Sequence, residues 1–184
     1  MNKKNMVRTA VAAVVLAASL PVFAYTLGGK EIINNGTGTR TKFGMTLYKA
    51  TLGVVKELKG ASETQVIDAD QPQVITLNIV SSMITKDKFV SAVNDALDNA
   101  AKAGYSIADK PAYVALFSNI KIVKGDSFAH QYEPGKGMTV VYTTGGKTTV
   151  LGTVKNLQFK RAFTAMFIGP KPIQDSMKKE LLGK

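Results

Sequence analysis

Of the 184 residues none is cysteine, none is tryptophan, and a single one, His130, is histidine. Without cysteine there are no disulfides, no thiol nucleophile, no thiolate metal site and no lipid-modified N-terminal cysteine, so burial has to hold the fold together. With one histidine and no cluster of acids, a zinc site has no ligand set, and no metal or cofactor is expected. Acids are scarce as well: 13 Asp and Glu face 24 Lys and Arg, a formal charge of +11. The basic residues are scattered, with no Arg-rich run and no interleaved aromatics, so the excess does not read as a nucleic-acid surface. Also missing are a G-x-S-x-G elbow and a P-loop, and Gly36-Thr37-Gly38 is too short for a nucleotide fingerprint. Asp68 and Asp70 have the spacing of half a calcium loop, but the glycine and the closing glutamate are absent, which leaves a turn ending at Pro72. Beyond its first residues, too, the chain has no apolar run long enough to cross a bilayer.

What is present begins at the N-terminus. Met1 to Arg8 is basic without an acid, Thr9 to Leu20 is small and apolar, and Pro21-Val22-Phe23-Ala24 follows. This is the pattern of a secretory signal peptide, with cleavage expected between Ala24 and Tyr25; the apolar run falls short of the roughly 20 residues of a membrane span. Residues 25–184 then make one domain. Losing Lys3, Lys4 and Arg8 takes the formal charge from +11 to +8. The signal fits a bacterial periplasm, with secretion into the medium left open. A basic exported protein can meet anionic lipid or polysaccharide, which makes an anionic membrane surface one candidate partner; the plainer reading of the excess is a solvated positive surface.

Tyr25 to Ile33 reads as an opening strand or short hairpin interrupted at Gly28-Gly29. Thr41 to Leu58 is extended, and Gly60-Ala61-Ser62 turns. Val74 to Val80 alternates cleanly, with Ile75, Leu77 and Ile79 on one face. Thr85 caps a helix whose stripe is Phe89, Val93, Leu97 and Ala100, closed at Gly104. A second helix opens near Asp109-Lys110-Pro111, with Tyr113, Leu116, Phe117 and Ile120 as its buried stripe. Asp126 to Tyr132, Met138 to Tyr142 and Thr148 to Leu151 are strands, and alternation puts Phe128, His130 and Tyr132 on one face. A third helix from about Thr153 carries Phe159, Phe163, Met166 and Phe167, and a last one starts at Pro172. The order predicts an α+β fold, a mainly antiparallel sheet covered by helices on one side.

The chain is organised around Asn35–Tyr48. A glycine-punctuated turn is expected at Gly36-Thr37-Gly38, leading into a hairpin. Arg40 and Tyr48 share a face if the strand is unbroken, and lie on neighbouring strands if it bends near Gly44. Either way a guanidinium fork and a phenol come together, a pair suited to an oxyanion. The alternative is an arginine lying over a sheet edge with its head in water.

Four stretches carry a family resemblance: Asn35–Phe43 with Leu47-Tyr48, then Val74–Leu97, then Tyr132–Thr139, and last Phe163–Gly169 with Leu181-Leu182-Gly183. In this order they resemble the chalcone isomerase-like proteins, in their exported bacterial branch. The resemblance implies an open-faced β-sandwich. In the family's enzymes an arginine after the glycine-rich segment steadies negative charge, and Arg40 matches it. Their strand threonine falls on Tyr48, their helix tyrosine on Phe89, their asparagine on Ala96 and their Ser or Thr before the glycine on Met166. Most catalytic polar groups are thus replaced by apolar ones. Other relatives bind fatty acids, with an Arg and a Tyr on the carboxylate. The resemblance therefore implies a non-catalytic binding protein for a small amphipathic anion such as a fatty acid. Arg40 and Tyr48 would hold the ligand, and Phe89, Phe163 and Met166 would wall the pocket. An isomerase or intramolecular lyase on another substrate, and an interaction protein with a filled core, are the other readings. Oligomeric state is left open.

Overall fold

The computed structural model describes residues 25–184, so the expected signal peptide and its cleavage point lie outside the described residues. Seven strands follow one another: β1 (Tyr25–Leu27), β2 (Lys30–Lys42), β3 (Met45–Val55), β4 (Gln73–Ile79), β5 (Ser127–Glu133), β6 (Gly137–Thr144) and β7 (Lys147–Val154). Each pairs antiparallel with the next, giving a single meander in chain order. Five helices complete the fold: α1 (Glu63–Asp68), α2 (Lys86–Ala101), α3 (Lys110–Ala115), α4 (Leu157–Ile168) and α5 (Asp175–Leu181). This is the expected α+β class with an antiparallel sheet under helices. Among the described residues no helix is long and apolar enough to cross a membrane.

Alternation sets the layers. Tyr48, Ala50, Leu52 and Val54 on β3, Ile75, Leu77 and Ile79 on β4, and Phe128 and Tyr132 on β5 all join one apolar core with α2 and α4. The opposite face is polar over much of its area. There Thr37 lies 3.0 Å from Thr51 and Thr139 lies 2.9 Å from Thr153, oxygen to oxygen, as cross-strand pairs. A smaller cluster of Leu27, Ile32, Val55 and Val74 covers the reverse face near β1.

The glycine-rich segment is where expectation and structure part. Asn35 to Thr41 is not a turn; it lies inside β2, and the chain reverses at Phe43-Gly44, both with positive φ. Gly36 and Gly38 are there for proximity. A Cβ on Gly36 would stand 2.1 Å from the Glu180 carbonyl oxygen, and one on Gly38 would stand 2.7 Å from the Met177 side chain. The bare strand lets α5 lie directly on it. A register shift between Asn34 and Gly36 leaves Asn35 as the bulged residue. Its Nδ2 donates to the Leu181 carbonyl at 2.8 Å and its Oδ1 accepts from the Gly60 N–H at 2.9 Å, which ties β2 to the end of α5.

Other differences are of boundary. α1 was not expected, although Ser62 and Gln65 form a capping box at its start. α3 stops at Ala115, so of its expected stripe only Tyr113 is helical, while Phe117 is buried beyond its end. α4 begins after an Asn156 cap, because Thr153 still pairs with Thr139 in the sheet. α5 begins at Asp175 rather than Pro172.

Candidate functional site

Arg40 and Tyr48 are direct cross-strand partners on β2 and β3. The bend at Gly44 thus decides between the two arrangements open in the sequence. Cross-strand partners share a face, and this one is the face carrying Gly36, Gly38, Ala50 and Leu52, towards the helices. A register shift follows immediately, between Arg40 and Thr41.

Arg40 is half-buried beside the start of α5. Its Nη1 donates to Gln174 Oε1 at 2.8 Å and to the Thr41 carbonyl at 2.9 Å. No pattern in the sequence singles out Gln174. Its Oε1 also accepts from the Thr41 N–H at 3.0 Å, and its Nε2 donates to the Thr39 carbonyl at 3.1 Å. One amide therefore fixes the strand, the helix start and one edge of the guanidinium. Nε and Nη2 of Arg40 have no hydrogen-bond partner among the described residues, so half of the fork remains available.

Tyr48 is buried in the core, and its hydroxyl makes no hydrogen bond to the described residues. Among the described residues, buried side-chain polar atoms without a hydrogen-bond partner include Tyr25 Oη, Asn34 Oδ1 and Gln73 Oε1. Burial pushes the Tyr48 pKa up and the Arg40 charge pulls it back only in part. The group is a neutral phenol, able to donate, at any ordinary pH.

Deeper in, Tyr113 Oη lies 2.8 Å from His130 Nε2, and His130 Nδ1 lies 3.2 Å from the Ile75 carbonyl. A carbonyl only accepts, so Nδ1 carries the proton and Tyr113 donates to Nε2. Burial lowers the imidazole pKa to about 3, against a smaller upward pull from the Ile75 bond. His130 is thus a packed, neutral, fully bonded core histidine, on the same buried face as Phe128 and Tyr132.

The expected wall residues all lie in this core. The Phe89 ring sits 5.2 Å from that of Phe117 and 5.3 Å from that of Phe128. Phe163 lies 4.4 Å from the His130 ring and 5.5 Å from Tyr113. Met166 is buried and its carbonyl accepts from the Ile173 N–H, just ahead of Gln174. The fold brings Tyr48, Phe89, Phe163 and Met166 into one cluster and sets Arg40 at its rim. Two surface clefts lie elsewhere. One of about 620 Å³ runs between α2 and α3, and one of about 480 Å³ lies among the turns around Gly28, Pro72 and Pro134. Among the described residues no group of His, Cys, Asp and Glu is arranged to hold a metal ion.

Comparison with known proteins adds three findings. A family model described as chalcone isomerase-like matches residues 12–183. Among solved structures, a fatty-acid binding protein of Arabidopsis thaliana superposes with a TM-score of 0.66 at 17% identity, over 82% of this chain and 86% of that one. At that identity the likeness is one of fold. Comparison with curated proteins finds no match.

Proposed function

Because this chain belongs to the chalcone isomerase-like family, we propose that it binds rather than transforms its ligand, a small amphipathic anion such as a fatty acid, in the periplasm. The observation that carries this reading is the in-register pair Arg40 and Tyr48, with part of the guanidinium uncommitted at the edge of an apolar core. A carboxylate leaving water needs a cation and donors to offset its desolvation. Nε and Nη2 of Arg40 offer two, and the Tyr48 phenol a third. The hydrocarbon tail would lie among Phe89, Phe163 and Met166. These are packed against neighbours, so the tail enters only by displacing side chains from their present contacts. The fold shared with a fatty-acid binding protein supports the reading.

Catalysis has less to work with. Phe89, Ala96 and Met166, at positions that carry polar groups in the family's enzymes, have no proton to give or take. Both ring nitrogens of His130 are occupied.

The test is calorimetric titration with a saturated long-chain fatty acid. Arg40→Ala removes a charge-assisted contact and weakens binding about 10- to 100-fold, while Tyr48→Phe costs less. Unchanged affinity in Arg40→Ala dismisses the anchor. Turnover of a chalcone that disappears in the same variant would favour the isomerase reading instead.

A further inference from the structure

Among the described residues, five large apolar side chains are conspicuously exposed: Phe43, Met45, Met83, Val123 and Val150. Four of them stand at one end of the sheet. Tyr48 pairs with both Arg40 and Ile79, so the β2–β3 tip and the loop after β4 leave the sheet together. The Val80 and Ser81 N–H groups both donate to the Leu47 carbonyl, holding the Met83 loop against β3. Ser127 pairs with Asn78 and with Thr143, which places the Val123 loop and the β6–β7 turn at the same end.

This end is also basic. Lys42 at the end of β2, Lys121 and Lys124 in the loop before β5, Lys147 at the start of β7 and Lys88 in the first turn of α2 are exposed here, with Lys86 half-exposed. The exposed acids nearby are Asp87 and Asp175. Asp126 is buried, accepting from Tyr142 Oη at 2.7 Å and from the Val123 N–H at 2.8 Å, and so pins the loop that presents Val123. The other end of the sheet carries Glu31, Glu57, Asp68, Asp70 and Glu133 beside Lys30, Lys56, Lys59, Lys136 and Lys155, so its charges nearly cancel. At the tip Phe43 is 84% exposed, with φ +52° and the Lys42 ammonium 5.4 Å from its ring. A turn with positive φ is served best by Gly or Asn. An aromatic held outward there is unfavourable for an isolated chain.

We propose that this end of the sheet docks on an anionic lipid bilayer, with Phe43, Met45, Met83 and Val123 entering the interface and the surrounding lysines facing lipid headgroups. Apolar side chains ringed by lysine meet both halves of such a surface, since lipid tails take the former and anionic headgroups the latter. A protein partner would have to match both features on one rigid face. Arg40 and Tyr48 lie at the same end, so docking would bring the mouth of the candidate ligand site to the membrane.

The experiment is sedimentation of the chain from Tyr25 to Lys184 with vesicles of phosphatidylglycerol and phosphatidylethanolamine, against vesicles of phosphatidylcholine. Binding is expected on the anionic vesicles at low salt and is expected to fall at high salt. Phe43→Asn, which suits the turn, weakens it about tenfold. Lys42→Glu with Lys124→Glu weakens it by more than tenfold, whereas Lys56→Glu at the far end and Val150→Ser leave it within about twofold. Because the chain has no tryptophan, Phe43→Trp supplies a clean fluorophore whose emission shifts to the blue on anionic vesicles, while Val150→Trp does not shift. Absence of binding to anionic vesicles at low salt overturns the proposal. So does an equal loss in Lys56→Glu, or a Trp at 43 that stays in water. No fatty acid enters these readouts, so they stand or fall separately from the Arg40→Ala titration.

Discussion

Gly36 shows how much one missing methyl group decides. The sequence signals a flexible position, and a turn is the ordinary use of such a position. Here the φ angle is unremarkable, and what matters is the absence of a Cβ 2.1 Å from the Glu180 carbonyl. Gly36→Ala is expected to lower stability by about 2 to 3 kcal/mol by forcing α5 off the strand. Urea unfolding would measure this. A variant as stable as the parent would mean that α5 is loosely seated. The pairing of Arg40 with Tyr48 was legible as two options, and the bend at Gly44 selected one. Gln174 was not legible. A glutamine in a loop carries no pattern, and its role exists only because the start of α5 comes to rest over Thr39–Thr41.

At the scale of elements, Lys160 secures α1, a helix of six residues. It is almost fully buried on α4, and its Nζ donates to the carbonyls of Val66, Ile67 and Ala69 at 2.9 to 3.0 Å. These are carbonyls at the end of α1 that the helix itself leaves unsatisfied. Burial, with help from Arg161, draws the Lys160 pKa down to about 7, while Asp68 and Asp70 hold it up. Lys160→Met keeps the stem and removes the donor. It is expected to cost about 3 kcal/mol, since buried carbonyls lose their partner. Hydrogen exchange should quicken first in α1, and exchange unchanged there would refute the capping role. In the sequence Lys160 reads as one more charge on a helix whose apolar stripe is Phe159, Phe163 and Phe167, and nothing local marks it as internal. Strands β4, β5 and β6 were legible because their alternation is regular and one face is buried. α1 was overlooked because six residues with two buried side chains are too short to show a period, although the Ser62–Gln65 capping box was readable.

For the whole molecule, stability should depend on pH through His130. Its folded pKa is about 3 and its unfolded value about 6.5. Between those values the unfolded chain binds a proton that the fold refuses, so stability rises with pH across this window. His130 costs nothing above about pH 6.5, and by pH 4 the fold should have lost about 3 kcal/mol. His130→Leu should flatten the acid limb of a urea-midpoint profile; an unchanged limb would mean that carboxylates govern it. The sequence alone determined the class of the fold and most of its core, because binary pattern and caps are local and act wherever the chain goes. It also placed Arg40 and Tyr48 within reach of each other. Only the tertiary structure decided which groups share a face of the sheet with α5 and which apolar side chains gather at one end of it. Those outcomes depend on register and on contacts between residues over a hundred positions apart, such as Gly36 with Glu180 and Arg40 with Gln174. A linear pattern carries no distance between such residues until the sheet is paired and the last helix is laid across it.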